Sequence, residues 1–271
     1  FPSERGIVDW FTAEAGRTAC WVSYNGKSFD APVLENRAII HRGSLRLSRH
    51  VDLLRFARRF WKRRLDSCSL GSVETHILGH RRSFDIPSAL VPEVFLAWLE
   101  TRDHASLAPV TAHHLEDIAS LARLTIHLEA ILEQPQEARG VDRAMLAQCL
   151  VDEGRFPEAL RVLGEAISSP ESDAGQEERV RCCRMAARML ARLGKRDEAR
   201  RSAARGWQQF QDPWCGRFLA VDAEHHRRDL LAAYQLAREV SVVATLPTWL
   251  AEDFRRRLQR LESKLGPSGR G

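Results

Sequence analysis

Two aspartates, Asp30 and Asp117, occupy positions at which a carboxylate could take part in chemistry. Asp30 ends the stretch "YNGKSFD", between a short apolar run and a helix-forming run. Two explanations for it stay open. Asp30 can cap the following helix by accepting first-turn amides, with Pro32 marking that turn. Alternatively, it can hold a metal ion beside a nucleic-acid strand.

Asp117 lies in a helix-forming segment, "HHLEDIASLARLTIHL". At about 100° per residue it falls between Leu124 and Leu128, at the edge of the apolar side of the helix. A charged carboxylate there costs several kcal/mol of desolvation unless a metal ion or a buried arginine offsets it. His113, one turn earlier, shares this edge and can reach the same site.

Other polar residues of this helix have different expected surroundings. The helical wheel places Glu116 on the polar side with Arg123 and His127. His114 points toward the middle of the apolar side, where we expect a hydrogen-bonded core histidine rather than a catalytic one.

Positive charge is concentrated in residues 37–64, which hold ten Lys and Arg against one acid, Asp52. Such a run can attract phosphates and release counterions, or it can simply be a solvated helix face. Charge alone does not decide between the two. Phe56, Phe60 and Trp61 interrupt the run at helical spacing, which favours a core role over base stacking.

Composition sets wide limits on the class of protein. The chain has 271 residues with 44% hydrophobic and 28% charged residues, so it can form one large domain or two ordinary ones. No run approaches the roughly 18 apolar residues of a membrane span, and no signal peptide is visible. The six cysteines lack metal-ligand spacing, so we expect reduced thiols in a cytoplasmic protein.

The first half of the chain alternates helix and strand patterns. "SERGIVDWFTAEA" predicts a helix, "ACWVSYNG" a strand, "FDAPVLENRAIIHR" a helix and "RLSRHVDLL" a second strand, followed by a basic helix, "RFARRFWKRRL". This order is typical of a parallel α/β unit. Three further helices are predicted downstream, "SCSLGSVETHILG", "PEVFLAWLETRD" and "PVTAHHLEDIASLARLTIHLEAIL". A loop rich in helix-breaking residues separates the first of them from the second.

Pro135 and Gly140 mark a predicted domain boundary, after which three similar helical segments recur. Aligning Ala159, Ala199 and Ala233 gives offsets of 40 and 34 residues. The second offset matches the roughly 34-residue period of tetratricopeptide repeats. Residues 142–240 thus resemble a short, degenerate tetratricopeptide array, with an arbitrary helical bundle as the alternative. Repeat arrays of this kind bind other proteins or brace a neighbouring domain.

Four motifs of the first half resemble, in order and spacing, a known family. They are "VSYNGKSFDAPVLENR", "HVDLLRFARRFWKRRLDSCSLGSVETHILG", "DIPSALVP" and "HHLEDIASL". The resemblance is to the YprB-type ribonuclease-H-like domain of the DEDD (DnaQ-like) exonuclease superfamily, and it covers roughly residues 1–132. Asn25, Phe29 and Asp30 fit the superfamily's second motif, N-x-x-x-F-D. Asp117 fits the acid of the third motif, with His113 in the general-base position.

The resemblance implies a metal-dependent nuclease. Four carboxylates hold two divalent cations, Mg²⁺ or Mn²⁺, which clamp the attacking and leaving oxygens of a phosphodiester. A histidine or tyrosine deprotonates the water nucleophile. The expected nucleic-acid-binding residues are Asn25, Lys27, Arg58, Arg59, Lys62 and Arg63.

The chain departs from the family pattern at two points. The family has an asparagine where this chain has His114, and the first motif, an Asp-x-Glu on the first strand, is not found upstream of Asp30. The D-x-E of Asp222-Ala223-Glu224 lies in the helical repeats and cannot stand in for it. The resemblance therefore implies an N-terminally truncated domain whose first three strands are missing. We expect such a segment to be inactive by itself and to expose apolar surface where those strands would pack.

The sequence thus predicts two domains: an incomplete α/β ribonuclease-H-like exonuclease domain over residues 1–132 and an all-α tetratricopeptide-like domain over residues 142–265. The expected activity is that of a DEDD 3′–5′ exonuclease acting on a single strand or an end, DNA or RNA. The alternative is a non-catalytic nucleic-acid-binding or scaffolding module whose repeats recruit a protein partner. Sequence upstream of Phe1 would separate the two.

Overall fold

The computed structural model describes residues 3–47, 49–82, 86–169, 172–243 and 246–266. Its backbone contacts divide the chain into two compact units, residues 1–141 and 142–271. The six cysteines are free thiols, as the sequence predicts. None of the described helices is both long and apolar enough to cross a membrane.

The N-terminal unit begins with the predicted alternation of helices and strands. Its first elements are α1 (Glu4–Arg17), β1 (Trp21–Ser23), α2 (Asp30–Ile40), β2 (His50–Asp52) and α3 (Leu53–Trp61). β1 and β2 are parallel, with Ser23 opposite Asp52, and form the two-stranded sheet seen in the described part of the chain. The strands are three residues long, shorter than the predicted runs, because β2 begins only at His50 and α3 starts immediately after Asp52.

The rest of this unit is helical. It consists of α4 (Leu70–His76), a 3₁₀ turn (Ser88–Leu90), α5 (Val91–Thr101), a second 3₁₀ turn (His104–Leu107) and the long α6 (Ala108–Glu133). The predicted loop between α4 and α5 contains residues 83–85, which lie outside the described residues. The predicted helices are therefore present, and α6 carries the second candidate acid.

The core of the N-terminal unit includes the apolar face of α3. Phe60 and Trp61 are buried, as predicted, and Phe56 is half-buried. Trp61 stacks on His127 of α6 with 6.1 Å between ring centroids. Burying these two large aromatic side chains joins α3 to α6 and leaves the basic residues of α3 toward solvent.

Large apolar side chains also remain exposed in this unit. They include Trp10 of α1, Val22 and Val51 of the two strands, and Leu115 and Ile118 of α6. Scattered exposed apolar residues are normal, but exposure of both central strand residues leaves one face of the sheet uncovered in this part of the chain.

The C-terminal unit is built from helices, and its described residues contain no strand. Its elements are α7 (Arg143–Asp152), α8 (Phe156–Ser168), α9 (Gln176–Arg192), α10 (Arg196–Phe210), α11 (Pro213–Asp222), a π-helical turn (Ala223–Arg227), α12 (Leu230–Ser241) and α13 (Thr248–Leu265). Consecutive helices pack in pairs, and Gly154 and Gly194 take the left-handed conformation in two of the turns. Ala159, Ala199 and Ala233 are fully buried, so small side chains occupy these helix contacts.

Candidate functional site

The first candidate region is the turn that follows β1. Asn25 lies in this turn with φ 69°, a left-handed conformation that asparagine tolerates better than most residues. The chain then reaches α2, which begins at Asp30. The turn is thus a fixed local structure between the carboxyl end of a strand and the start of a helix.

Asp52, at the end of β2, holds this turn in place. Its buried carboxylate accepts hydrogen bonds from the backbone amides of Asn25 at 2.8 Å and Lys27 at 3.1 Å. It also caps α3 by accepting the Leu54 amide at 3.1 Å. In the sequence, Asp52 was identified only as the one acid of a basic run. Its position directly before an apolar helix start was the signal for this capping role.

Asp30 does not cap α2, so that explanation is wrong. Phe29 occupies the cap position without a side-chain hydrogen bond, and Asp30 is the first helical residue, with an exposed side chain. Its carboxylate lies beside Gly26, where a Cβ would be 3.4 Å from Asp30 Oδ2 and 2.6 Å from Ser23 Oγ. Because glycine has no Cβ, position 26 lets the side chains of Ser23 and Asp30 lie close to the backbone of the turn.

His50 is a second polar residue here that sequence reasoning missed. Its Nε2 lies 2.7 Å from Ser23 Oγ, across the parallel strands. Burial lowers the pKa of His50, and the positive charges of Lys27 and Arg55 lower it further against the opposing effect of nearby carboxylates. The alternation of residues along β2, which places His50 and Asp52 on the same face, was the available signal.

The second candidate region surrounds Asp117 on α6. Arg82 donates a hydrogen bond from Nη2 to Asp117 Oδ1 at 2.6 Å. The same guanidinium pairs with buried Glu74 through Nε at 2.8 Å and Nη2 at 2.6 Å. Of the two partners expected for Asp117, the structure supplies the arginine. Arg82 and Glu74 were not predicted from the sequence, because their link to α6 spans more than thirty residues.

His113 lies next to Asp117, as predicted. Its Nε2 is 3.4 Å from Asp117 Oδ2, and its Nδ1 is 3.2 Å from Arg82 Nη1. Because arginine can only donate, a neutral His113 accepts at Nδ1 and carries its proton on Nε2, toward Asp117. The ring is therefore held between the guanidinium and the carboxylate.

The surroundings of three other α6 residues can be compared with those expected from the helical wheel. His114 is exposed rather than buried, because the neighbouring apolar residues at the start of α6 are themselves uncovered. Glu116 lies 3.1 Å from His80 Nε2 and 4.0 Å from Arg123. His127 is half-buried against Trp61, not on a polar face, and burial lowers its pKa.

The basic residues expected to bind nucleic acid lie mainly on α3 and directly after it. Arg58, Lys62 and Arg63 have exposed side chains, whereas Arg59 is half-buried. Arg55, one turn before Arg59, adds a further exposed cation. This surface can attract phosphate groups through long-range charge.

Tyr24 connects the two candidate regions electrostatically. Its hydroxyl donates to the Cys68 carbonyl at 2.6 Å. Burial raises the pKa of Tyr24, and the carboxylates of Asp52 and Glu74 add to that increase, whereas Arg58 opposes it. Carboxylates of both regions are therefore near enough to act on one side chain.

The donor set decides what cation the site suits. Asp30 and Asp117 offer hard carboxylate oxygens, which match Mg²⁺ or Mn²⁺ in chemistry. Among the described residues, however, no group of three or more His, Cys, Asp or Glu side chains is arranged to hold a metal ion. The D-x-E of the second unit offers no substitute, because Asp222 pairs with Arg200 and Glu224 with Arg260.

Residues 2–129 match a family model described as RNase_H superfamily. The N-terminal unit is therefore similar to ribonuclease-H-like domains. The chain is also 29% identical over 277 residues to "Uncharacterized protein YprB" of Bacillus subtilis (strain 168). That alignment covers 97% of this chain and 64% of the relative, so the chain spans less than two thirds of the length of the protein it matches. No solved structure matches the chain.

Proposed function

We propose that the chain is part of a metal-dependent nuclease of the DEDD 3′–5′ exonuclease type, which hydrolyses nucleic-acid phosphodiesters. The observation that carries the proposal is the position of Asp30. Its exposed carboxylate follows the carboxyl end of a parallel strand and makes no cap hydrogen bond, in a segment similar to the RNase H superfamily. Ligands of open α/β sheets bind outside this end of the strands.

In this proposal Asp30 and Asp117 hold Mg²⁺ or Mn²⁺, which supplies charge stabilisation at the phosphodiester when bound. His113, beside Asp117, takes a proton from the attacking water at Nδ1, which requires that Arg82 no longer donates to that nitrogen. Arg58, Lys62 and the neighbouring cations bind the phosphates of the strand. Asn25 and Lys27, in the turn that Asp52 holds through its amides, are assigned to binding the strand.

We propose further that the acids of the first motif come from sequence outside the present chain. The support is structural: the described sheet has two strands, and Val22 and Val51 are exposed on it. Additional strands would pair along the edges of this sheet and extend it, and elements that connect such strands could cover the exposed face. The 271-residue chain alone is then expected to lack activity, since two carboxylates do not make a two-metal site.

The test is hydrolysis of single-stranded DNA and RNA oligonucleotides by the full-length protein with Mn²⁺. Asp30→Asn and Asp117→Asn should each reduce the rate by roughly a hundredfold or more, and His113→Ala by roughly a hundredfold. Asp66→Asn, which changes an exposed aspartate after α3, is the matched control and should leave the rate unchanged. Full activity of both aspartate variants would refute the assignment.

A non-catalytic nucleic-acid-binding or scaffolding module is the second candidate. The observation in its favour is that Arg82 already compensates the charge of Asp117. The paired helices of the second unit, interpreted as tetratricopeptide-like, would then recruit a protein partner. Nucleic-acid binding that is insensitive to Mn²⁺ and to Asp30→Asn, without hydrolysis, would favour this candidate.

A further inference from the structure

The second unit contains a pocket with an aromatic lining. Residues of α9, α10, α11 and α13 contribute to it, and its volume is about 340 Å³, within the range of sites that bind small molecules. Trp249 is 59% exposed, so much of its indole ring faces solvent although the ring borders the pocket. An exposed ring of this kind can stack on a planar partner. The aromatic side chains that line the pocket are Phe210, Trp214 and Trp249.

Trp214, in contrast, already has partners for its ring. The Arg188 guanidinium lies over it, 4.4 Å from the ring centroid. The Phe218 ring packs beside it with 5.8 Å between centroids. These contacts hold Trp214 as a wall of the pocket and bring the positive charge of Arg188 to its edge. Trp249, on α13, is then the ring most open to a ligand.

Positive charge runs along α9 next to this pocket. Arg181 and Arg184 are paired with two buried acids, Asp142 and Asp212 respectively. The other two arginines are exposed, and neither takes part in an ion pair within the described part of the chain. At roughly 100° per residue, four arginines fall within about 80° of one another on this helix: Arg181, Arg184, Arg188 and Arg192.

An exposed ring beside uncompensated cations fits single-stranded nucleic acid. In a single strand the base faces are open to stacking on aromatic side chains, and the phosphates follow at a spacing that nearby arginines can reach. A solvated basic helix face accounts for the arginines but not for Trp249 at the pocket. An acidic peptide would also match the charge. The strand is favoured because the proposed function already makes nucleic acid the partner of this chain.

We propose that this pocket binds an unpaired nucleotide of a single strand, with its base stacked on Trp249 and the adjoining phosphates at Arg188 and Arg192. The inference rests on the proposed function for the identity of the partner, but it requires neither a metal ion nor hydrolysis. It gives the second unit a direct role in holding the strand, separate from the α3 surface of the first unit.

The first experiment measures the stacking. Anisotropy of a fluorescein-labelled thymidine dodecamer gives its affinity for the full-length protein in EDTA, where metal-dependent hydrolysis is suppressed. Trp249→Ala should weaken binding roughly tenfold, whereas Trp249→Phe keeps a ring and should lose no more than about threefold. Phe156→Ala, which removes a partly exposed ring from the start of α8, is the matched control and should change affinity by less than about twofold.

The second experiment measures the phosphate contacts. Each phosphate contact to a single strand contributes about 0.7 to the slope of log affinity against log salt concentration, so Arg188→Gln with Arg192→Gln should reduce that slope by about 1.4. Arg201→Gln with Arg238→Gln removes two exposed cations from α10 and α12 and should leave the slope unchanged. An unchanged affinity in Trp249→Ala together with an unchanged slope in the α9 double variant overturns the inference.

A labelled dodecapeptide of alternating glutamate and leucine tests the other occupant. We expect no binding of this peptide that depends on Trp249. If Trp249→Ala weakens binding of the peptide but not of the dodecamer, the pocket takes a protein segment and the inference is overturned.

Hydrolysis in Mn²⁺ separates this inference from the proposed function. Dodecamer binding that depends on Trp249, in a full-length protein that hydrolyses no strand, supports the pocket and refutes the nuclease. Hydrolysis that is lost in Asp30→Asn, with dodecamer binding unaffected by Trp249→Ala and by the α9 double variant, leaves the nuclease standing and removes the pocket.

Discussion

The Asp52 carboxylate lies 2.8 Å from the backbone nitrogen of Asn25, so the end of one strand fixes the turn that follows its neighbour. The same carboxylate accepts the Lys27 amide and caps α3. One buried acid therefore sets the backbone of the candidate site and the start of the basic helix. Its role is to satisfy amide donors rather than to take part in chemistry.

Asp52→Ala should lower the free energy of unfolding by about 3 kcal/mol, because three amide donors lose their acceptor and α3 loses its cap. Urea unfolding monitored by tryptophan fluorescence measures this loss. Asp66→Ala removes an exposed aspartate a short distance downstream and should change stability by less than about 0.5 kcal/mol. Equal effects of the two substitutions would contradict the role given to Asp52.

Local sequence patterns predicted the elements of the site better than its contacts. The apolar run ending in Asn-Gly gave β1, and the helical spacing of Phe60 and Trp61 correctly predicted burial. His114 was misplaced because the helical wheel identifies an apolar side of α6 but not whether another element covers it. The helical wheel also placed Asp117 at the edge of the apolar side, but it could not identify Arg82 as the partner of this carboxylate.

Long-range polar pairs account for most of what the sequence did not predict. Arg82 meets Asp117 across 35 residues, and His50 meets Ser23 across 27. Such pairs depend on how helices and strands pack, and no periodicity in a single sequence encodes them. The arginine in the proposed site was therefore expected as a residue type but not identified by position.

Gly216 in α11 provides a test of helix packing in the second unit. A Cβ at this position would meet Val240 Cγ2 of α12 and lie 3.0 Å from Trp207 Cε3 of α10. Gly216→Ala should therefore destabilise the protein by about 1–3 kcal/mol through overpacking. Gly164→Ala is the matched control: nothing lies within 4 Å of a Cβ there, so the substitution should stabilise α8 by about 0.5–1 kcal/mol. Thermal unfolding of both variants gives the comparison, and shifts of the same sign would refute the packing account.

Glu224 should make the stability of the second unit depend on acid pH. Burial opposes its ionisation, but hydrogen bonds from Arg260 and Lys264 outweigh burial and lower the pKa of Glu224 from 4.5 to about 2. The unfolded chain then binds more protons than the folded one between these values. The contribution of Glu224, about 3 kcal/mol, is present above pH 4.5 and is lost as the pH falls toward 2.

Glu224→Gln should remove this pH dependence and lower stability at neutral pH by about 3–5 kcal/mol, because buried Arg257 loses its 2.5 Å partner. Urea unfolding of the wild-type and variant proteins from pH 2 to pH 7 measures both effects. Glu252→Gln, which changes an exposed acid of α13, is the control and should leave the profile unaltered. Parallel profiles for Glu224→Gln and wild type would show that other acids govern the transition.

The exposed cations of α3 should determine the salt dependence of nucleic-acid binding. Each phosphate contact to a single strand contributes about 0.7 to the slope of log affinity against log salt concentration, because counterions are released. Arg58→Ala with Lys62→Ala should therefore reduce that slope by about 1.4 and lower affinity roughly twentyfold at about 0.1 M salt. Anisotropy titrations of the full-length protein with a labelled dodecamer across salt concentrations give both quantities. Lys195→Ala with Arg196→Ala removes two cations from the other unit and should leave the slope unchanged. If the two double variants behave alike, net charge attracts the strand and the α3 surface is not its binding site.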